Sequence, residues 1–254
     1  MTPRRYLPLL LAFCLLSGLA LAQTPEPSTP LAPAKQLETK GDVLMARKLY
    51  REAAETYAQA LKVEPRNAVV LNKIGISFHQ QSRMEEAKKY YERSIRANRQ
   101  YAEAYNNLGA VYYAGKKYKK AMQLFRKGVE LKPEAASIHS NLGTACFARK
   151  MFDDALREFN TALALDPAIF DPHKGFGIML QERTVEERAL FHFFLAKAFA
   201  SRNDVDRCLE FLKKAFEEGF RDVKRIEQDA DFAQVRQNEQ YQELLRRMPA
   251  TLEP

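Results

Sequence analysis

Small, aromatic and helix-stopping positions recur every 34 residues along most of this chain. Gly41, Gly75, Gly109 and Gly143 mark one register, and Ala53, Ala87, Ala121 and Ala155 mark a second. Tyr57, Tyr91, Phe125 and Phe159 mark a third. Pro65, Pro133 and Pro167 hold a fourth, with Arg99 in the remaining place. Leu108 and Leu142 precede their glycines, as Ile74 does, and Phe78 and Tyr112 follow three residues after theirs. A period of this length accommodates two amphipathic helices that cannot bury their apolar faces alone, so successive units must stack. The pattern predicts four such units, 34–67, 68–101, 102–135 and 136–169, without insertion. Within a unit, Gly75 lets the two helices cross closely, and Ala87 does the same from the second helix. Tyr91 is expected to fill the space between one unit and the next. Proline ends the second helix, because the residue before it is pushed out of the α region. Each large side chain buried this way contributes roughly 1.5–3 kcal/mol.

These residues in this order resemble the tetratricopeptide repeat, here of the exported bacterial kind. The resemblance implies an all-α fold, a right-handed α-α superhelical solenoid of helix pairs. The first unit departs from the pattern, with Lys40 where Leu belongs and Leu44 where Tyr belongs. That helix has no upstream neighbour, so a polar outer face is tolerable there.

After Ile169 the register breaks. Phe170 to Thr184 contains Asp-Pro, Lys-Gly and Gly-Ile, and 170–188 reads as an irregular insertion. The apolar positions resume in 189–222 with Leu195, Phe199, Cys208, Leu212 and Ala215, a divergent fifth unit. Asn203-Asp204 makes its turn and Gly219 ends its second helix. In 223–254, Val223, Ile226, Phe232, Val235, Tyr241, Leu244 and Leu245 suit short helices folded back on the last unit. The segment from Leu190 through Leu245, with Asp231-Phe232-Ala233 and Tyr241-Gln242-Glu243-Leu244, resembles the C-terminal end of many bacterial proteins of the family, and 223–254 reads as a cap.

The N-terminus has a different character. Arg4 and Arg5 precede an apolar run, Leu7 to Leu16, and then Ala20-Leu21-Ala22, an A-x-A cleavage signal before Gln23. The run is too short to cross a ~30 Å hydrocarbon core as a helix. A cleaved signal peptide, 1–22, is expected, with a periplasmic or secreted product and no stable membrane insertion after cleavage. Four prolines in 23–33 then predict an extended linker.

Composition adds three constraints. With 10 Gly, 12 Pro and no Trp among 254 residues, and 28% charged residues, the chain suits a soluble helical surface. Loss of the signal would leave 38 of the 40 Lys and Arg against 32 Asp and Glu, a mild basic excess. Cys146 and Cys208 would remain, able either to pair in an oxidising compartment or to stay as buried thiols on apolar helix positions.

Candidate chemistry is sparse. His79, His139, His173 and His192 are too far apart for a local metal motif, and no HExxH, CxxC, Walker loop or G-x-S-x-G occurs. Gly175-Phe176-Gly177 lacks a preceding strand. No enzyme activity and no cofactor is expected. The run Lys116-Lys117-Tyr118-Lys119-Lys120 falls at the inter-helix turn of the third unit. It either keeps that loop soluble or forms a docking point for an anionic partner. Nearby aromatics are repeat positions and do not argue for nucleic-acid stacking.

The resemblance also implies where a partner would sit. First helices line the concave side of such a stack, and the groove-facing positions carry over to Asn72, Asn106, Asn107, Asn141, His79, Tyr113 and Phe147, together with Ile76, Ala110 and Thr144. An Asn amide offers both a donor and an acceptor, so Asn107 and Asn141 could hold a peptide backbone irrespective of its sequence. They could equally stabilise packing between units. Glu38 and Asp42 stand where the chaperone-tail clamps of the family need Lys and Asn, so that subtype is excluded. The function expected is therefore a protein-binding scaffold of the cell envelope, holding a protein or peptide and no nucleic acid. Two alternatives remain open: an assembly factor for pilus, secretion or outer-membrane machinery, and a binder of an anionic polymer such as polysaccharide.

Overall fold

A computed structural model describes residues 33–171 and 184–247, all within one structural unit, Ala32–Pro254. The expected signal (1–22), the linker as far as residue 32, the middle of the expected insertion (172–183) and the end of the tail (248–254) lie outside the described residues.

Eight helices of 13 or 14 residues follow one another in pairs: α1 (Pro33–Ala46) with α2 (Tyr50–Val63), α3 (Ala68–Gln80) with α4 (Met84–Ala97), α5 (Ala102–Ala114) with α6 (Tyr118–Leu131), and α7 (Ala136–Ala148) with α8 (Phe152–Leu165). A fifth pair, α9 (Val185–Ala200) and α10 (Val205–Glu217), precedes α11 (Val223–Gln228), a 3-10 turn at Ala230–Phe232, α12 (Ala233–Arg236) and α13 (Glu239–Arg247). No strand occurs among the described residues, and no described helix is long and apolar enough to cross a membrane.

Each first helix ends in the same way. Lys48, Ser82, Lys116, Lys150 and Asn203 adopt left-handed backbone, with φ between 57° and 60°. In the third unit Lys116 N–H donates to the Tyr113 carbonyl and Lys117 N–H to the Tyr112 carbonyl, both at 2.8 Å. This pair of reverse bonds satisfies carbonyls that the helix end would otherwise leave open. The second helices end on residues outside the α region, Glu64, Lys132 and Asp166 before proline, and Asn98 before Arg99. The exit geometry therefore persists where the proline is missing.

The repeated glycine has a direct structural cause. A Cβ on Gly41, Gly75, Gly109 or Gly143 would lie 2.3–2.6 Å from the ring of Tyr57, Tyr91, Phe125 or Phe159 respectively. Each ring thus lies on the glycine of its own unit, where the sequence had placed it between one unit and the next. Ala53, Ala87, Ala121 and Ala155 are fully buried beside these rings.

Two boundaries differ from expectation. Pro33 belongs to α1 and not to the linker, since a helix start needs no N–H there. α9 begins at Val185, inside the stretch expected to be irregular. Its start is fixed by a capping box: Glu187 N–H donates to Thr184 Oγ1 at 3.2 Å, and Thr184 N–H to the Glu187 carboxylate at 3.3 Å.

Second helices pack against the first helix of the following unit, and α3, α5 and α7 also touch one another in sequence. The closer spacing of the first helices puts them on the inner, concave side of the curve. At the far end, Phe193 stacks on Phe220 (4.5 Å between ring centroids) and on Phe232 (5.7 Å), and Ile226, Val235 and Tyr241 are buried with them. The short C-terminal helices thus cover apolar surface of α9 and α10.

Candidate functional site

The concave helices are joined by one polar contact repeated in three successive units. Position six of a unit donates to position five of the unit before it, 35 residues earlier in the chain. Lys73 Nζ reaches Glu38 Oε1 at 2.6 Å, Asn107 Nδ2 reaches Asn72 Oδ1 at 3.0 Å, and Asn141 Nδ2 reaches Asn106 Oδ1 at 2.8 Å. Asn106 Nδ2 also lies 3.5 Å from Asn107 Oδ1. The four amides therefore run as one line, Asn141 to Asn106 to Asn107 to Asn72, across α7, α5 and α3.

At the N-terminal end the same contact is ionic. The Lys73 ammonium sits between Glu38 and Asp42 Oδ2 (2.8 Å), Tyr57 Oη donates to Asp42 Oδ1 at 2.7 Å, and Lys35 donates to Glu38 at 2.9 Å. Burial alone would raise the Glu38 carboxyl, but its bonds from Lys73 and Lys35 hold it below the usual range. Burial would lower Lys73, yet its two carboxylates raise it. Burial and the bond to Asp42 together push the Tyr57 phenol well up. Sequence reading missed Lys73 and Glu38 as partners. Their 35-residue separation, shared with the asparagine pairs, was the available signal.

At the other end the polar contact stops. The equivalent position on α9 is Phe194, which stacks on Phe152 (4.8 Å, 15° between planes) and meets Phe147 edge-on at 5.7 Å. Phe191 meets Phe147 at 5.1 Å.

Two of the seven candidates are therefore interior residues. Asn72 is 3% exposed, with its carbonyl taken by Asn107, and Phe147 is 4% exposed inside the aromatic cluster. Neither offers surface to a partner as placed. Thr144 is likewise buried, its hydroxyl bonded to the Ser140 carbonyl at 2.8 Å. Asn106, Asn107, Asn141, His79 and Tyr113 are half-buried, as are Ile76 and Ala110. His79 Nδ1 lies 3.4 Å from Tyr91 Oη, and burial lowers its pKa. The Tyr113 ring leans on Tyr118 at 5.2 Å.

The asparagine line joins successive units, as the packing reading of the sequence expected. Each amide has two N–H donors and a carbonyl with two lone pairs. Asn107 uses one donor between units, to Asn72, and one lone pair of its carbonyl within α5, from Asn106; its second N–H and second lone pair have no protein partner among the described residues. An extended polypeptide backbone presents the complementary donors and acceptors along its length.

Among the described residues no group of three or more His, Cys, Asp or Glu side chains is gathered as a metal site. Cys146 and Cys208 are free, buried thiols, pushed by burial to about 11 and about 12. They are accordingly poor nucleophiles.

Comparison with solved structures finds the same fold. Pseudomonas aeruginosa PilF is 16% identical, over 82% of this chain and 86% of that one, with a TM-score of 0.55. A double mutant of MamA is 18% identical, over 77% and 96%, with a TM-score of 0.51. No curated protein matches the chain. Models of the tetratricopeptide repeat match residues 39–92, 70–134 and 136–169, together more than half of the chain. With the paired helices, the glycine-on-ring contacts and this continuous run of matches, the chain belongs to the tetratricopeptide-repeat family.

Proposed function

We propose that the chain is a non-catalytic scaffold of the cell envelope that holds an extended polypeptide segment along its concave face. The observation that carries this reading is the line of half-satisfied amides at Asn106, Asn107 and Asn141, set in register by the stacking of α5 on α7. Ile76, Ala110, His79 and Tyr113 supply apolar contact beside it, and partly buried aromatic groups in a groove often anchor a partner. The Arg4-Arg5, apolar-run and Ala20-Leu21-Ala22 pattern supports export, with Gln23 as the mature N-terminus.

Site-specific photo-crosslinking in envelope extract tests the binding face. A benzophenone side chain at Gln80, Ala114 or Ser137, all exposed on first helices, is expected to capture a polypeptide. The same group at Arg93 or Lys127, exposed on second helices, is expected not to. Equal capture from both sets refutes the groove. N-terminal sequencing of the exported product checks cleavage after Ala22.

A further inference from the structure

A second surface lies away from the concave face, at the turn between α5 and α6. Lys116, Lys117, Lys119 and Lys120 line a cleft of about 470 Å³ there with Tyr118, and Arg149 closes it from the next turn. All five cations are exposed. Among the described residues none has a carboxylate partner, although Lys120 rests over the Tyr112 ring at 4.2 Å.

Single exposed cations such as Lys62 and Arg66 also lack a carboxylate partner among the described residues, so what sets this site apart is five of them on two neighbouring turns. Arg51, Arg83, Lys88, Lys127, Arg157 and Lys214 each have an acid one helical turn away on their own helix. The cluster is also unfavourable for the helix. The other second helices carry acids in their first turn: Glu52 in α2, Glu85 and Glu86 in α4, Asp153 and Asp154 in α8, and Asp206 in α10. Helix α6 has none and places Lys119 and Lys120 there. Cations at a helix N-terminus oppose the helix dipole. Lys117 is the N-cap of α6 and adds to that opposition, and Lys116 beside it adds to the same unbalanced charge.

We propose that this cleft docks a short acidic segment of a partner polypeptide, a run of a few Asp or Glu side chains. Charge complementarity sets the sign, and the extent of the patch sets the length. On one side the equivalent turn holds Ser82 and Arg83, with Arg83 tied to Glu86 at 2.7 Å. On the other side the first turn of α8 carries Asp153 and Asp154. The positive surface thus covers two turns and not the whole edge, too little to follow a long polyanion. The reading of this surface does not rest on that of the concave groove, although its Tyr118 touches the groove's Tyr113 at 5.2 Å.

The test uses fluorescein-labelled hexaglutamate, read by anisotropy against the purified chain. Binding is expected to tighten as ionic strength falls, because exposed charges interact through screening solvent. Lys117→Glu/Lys119→Glu is expected to weaken it at least tenfold. Lys62→Glu/Arg66→Glu, an equal charge change at exposed residues beyond the cleft, is expected to shift it less than twofold. The cleft variant is expected to melt no lower than wild type, since an acid in place of Lys119 suits the start of α6, so lost binding would not reflect unfolding. Equal weakening by the two variants overturns the proposal. So does cleft-dependent binding of heparin or phosphatidylglycerol vesicles without binding of hexaglutamate.

Discussion

Asn107 donates to the carbonyl of Asn72 at 3.0 Å, tying α5 to α3 across the concave side. Asn72 is buried and Asn107 is half-exposed, so the two substitutions should differ in kind. Asn107→Ala leaves a buried carbonyl without this donor and is expected to cost about 1–2 kcal/mol. Asn72→Ala leaves an amide that water can reach, but opens a small void. A double-mutant cycle measured by urea unfolding is expected to give a coupling of about 0.5–1.5 kcal/mol. A coupling indistinguishable from zero would mean that the bond does not join the two units in solution.

Gly109 lies beneath the Phe125 ring, and a Cβ there would stand 2.6 Å from Cε1. Phe125 is fully buried, so its ring has no solvent-filled space to move into. Gly109→Ala is therefore expected to destabilise the chain by about 1–3 kcal/mol through overpacking, despite the better helix propensity of alanine. Phe125→Leu in the same chain should recover part of that loss. Thermal melts of the single and double variants decide it: additive losses would show that the glycine is there for another reason.

The interval from Gly41 to Gly143 made the paired helices legible, because only stacked hairpins require small and aromatic residues at one fixed spacing. The contacts at the concave face were less legible. That Asn107 meets Asn72, and that Lys73 meets Glu38, depends on how far each first helix turns relative to the one before it, and the 34-residue period does not encode that rotation. The left-handed turn residues Lys48, Ser82, Lys116 and Lys150 were invisible for another reason: none is the glycine that usually marks such backbone. Phe147 read as groove floor by position, yet Phe191 and Phe194 of α9 enclose it. Those rings arrive after a break in the period, so the repeat register could not place them. The start of α9 was written in the sequence, as Thr184 with Glu187 three residues on, but Gly175 and Gly177 just upstream weigh against a helix.

Acid should weaken the fold in two separable steps. Burial lowers the His79 pKa, so the unfolded chain takes up that proton first. Stability is then lost as pH falls below about 6.5, and the loss levels off beneath the folded value. Glu38 is held below its ordinary value despite burial, by Lys73 and Lys35, so its contribution is full above about pH 4.5 and is lost as pH falls further. Denaturant midpoints across pH 3–8 are expected to show both slopes. His79→Gln should flatten the upper one and Glu38→Gln the lower one. An upper slope unchanged in His79→Gln would assign it to another group, of which His192, also lowered by burial, is the first candidate.

Tyr241 holds α13 against the end of the stack. Its ring is 1% exposed, and its hydroxyl is buried without a hydrogen-bond partner among the described residues. Burial pushes the phenol up to about 12, so it stays neutral at any ordinary pH. A buried hydroxyl that makes no bond has lost its hydration without compensation. Tyr241→Phe keeps the ring and removes that defect, and is expected to stabilise the chain by about 1 kcal/mol. Tyr241→Ala removes the ring as well and should cost about 3–5 kcal/mol, as for other large buried aromatics. Hydrogen exchange along α13 and α10 reads both effects where they arise. If Tyr241→Phe instead weakens protection there, the hydroxyl has a partner in solution and the packing of α13 differs from that described.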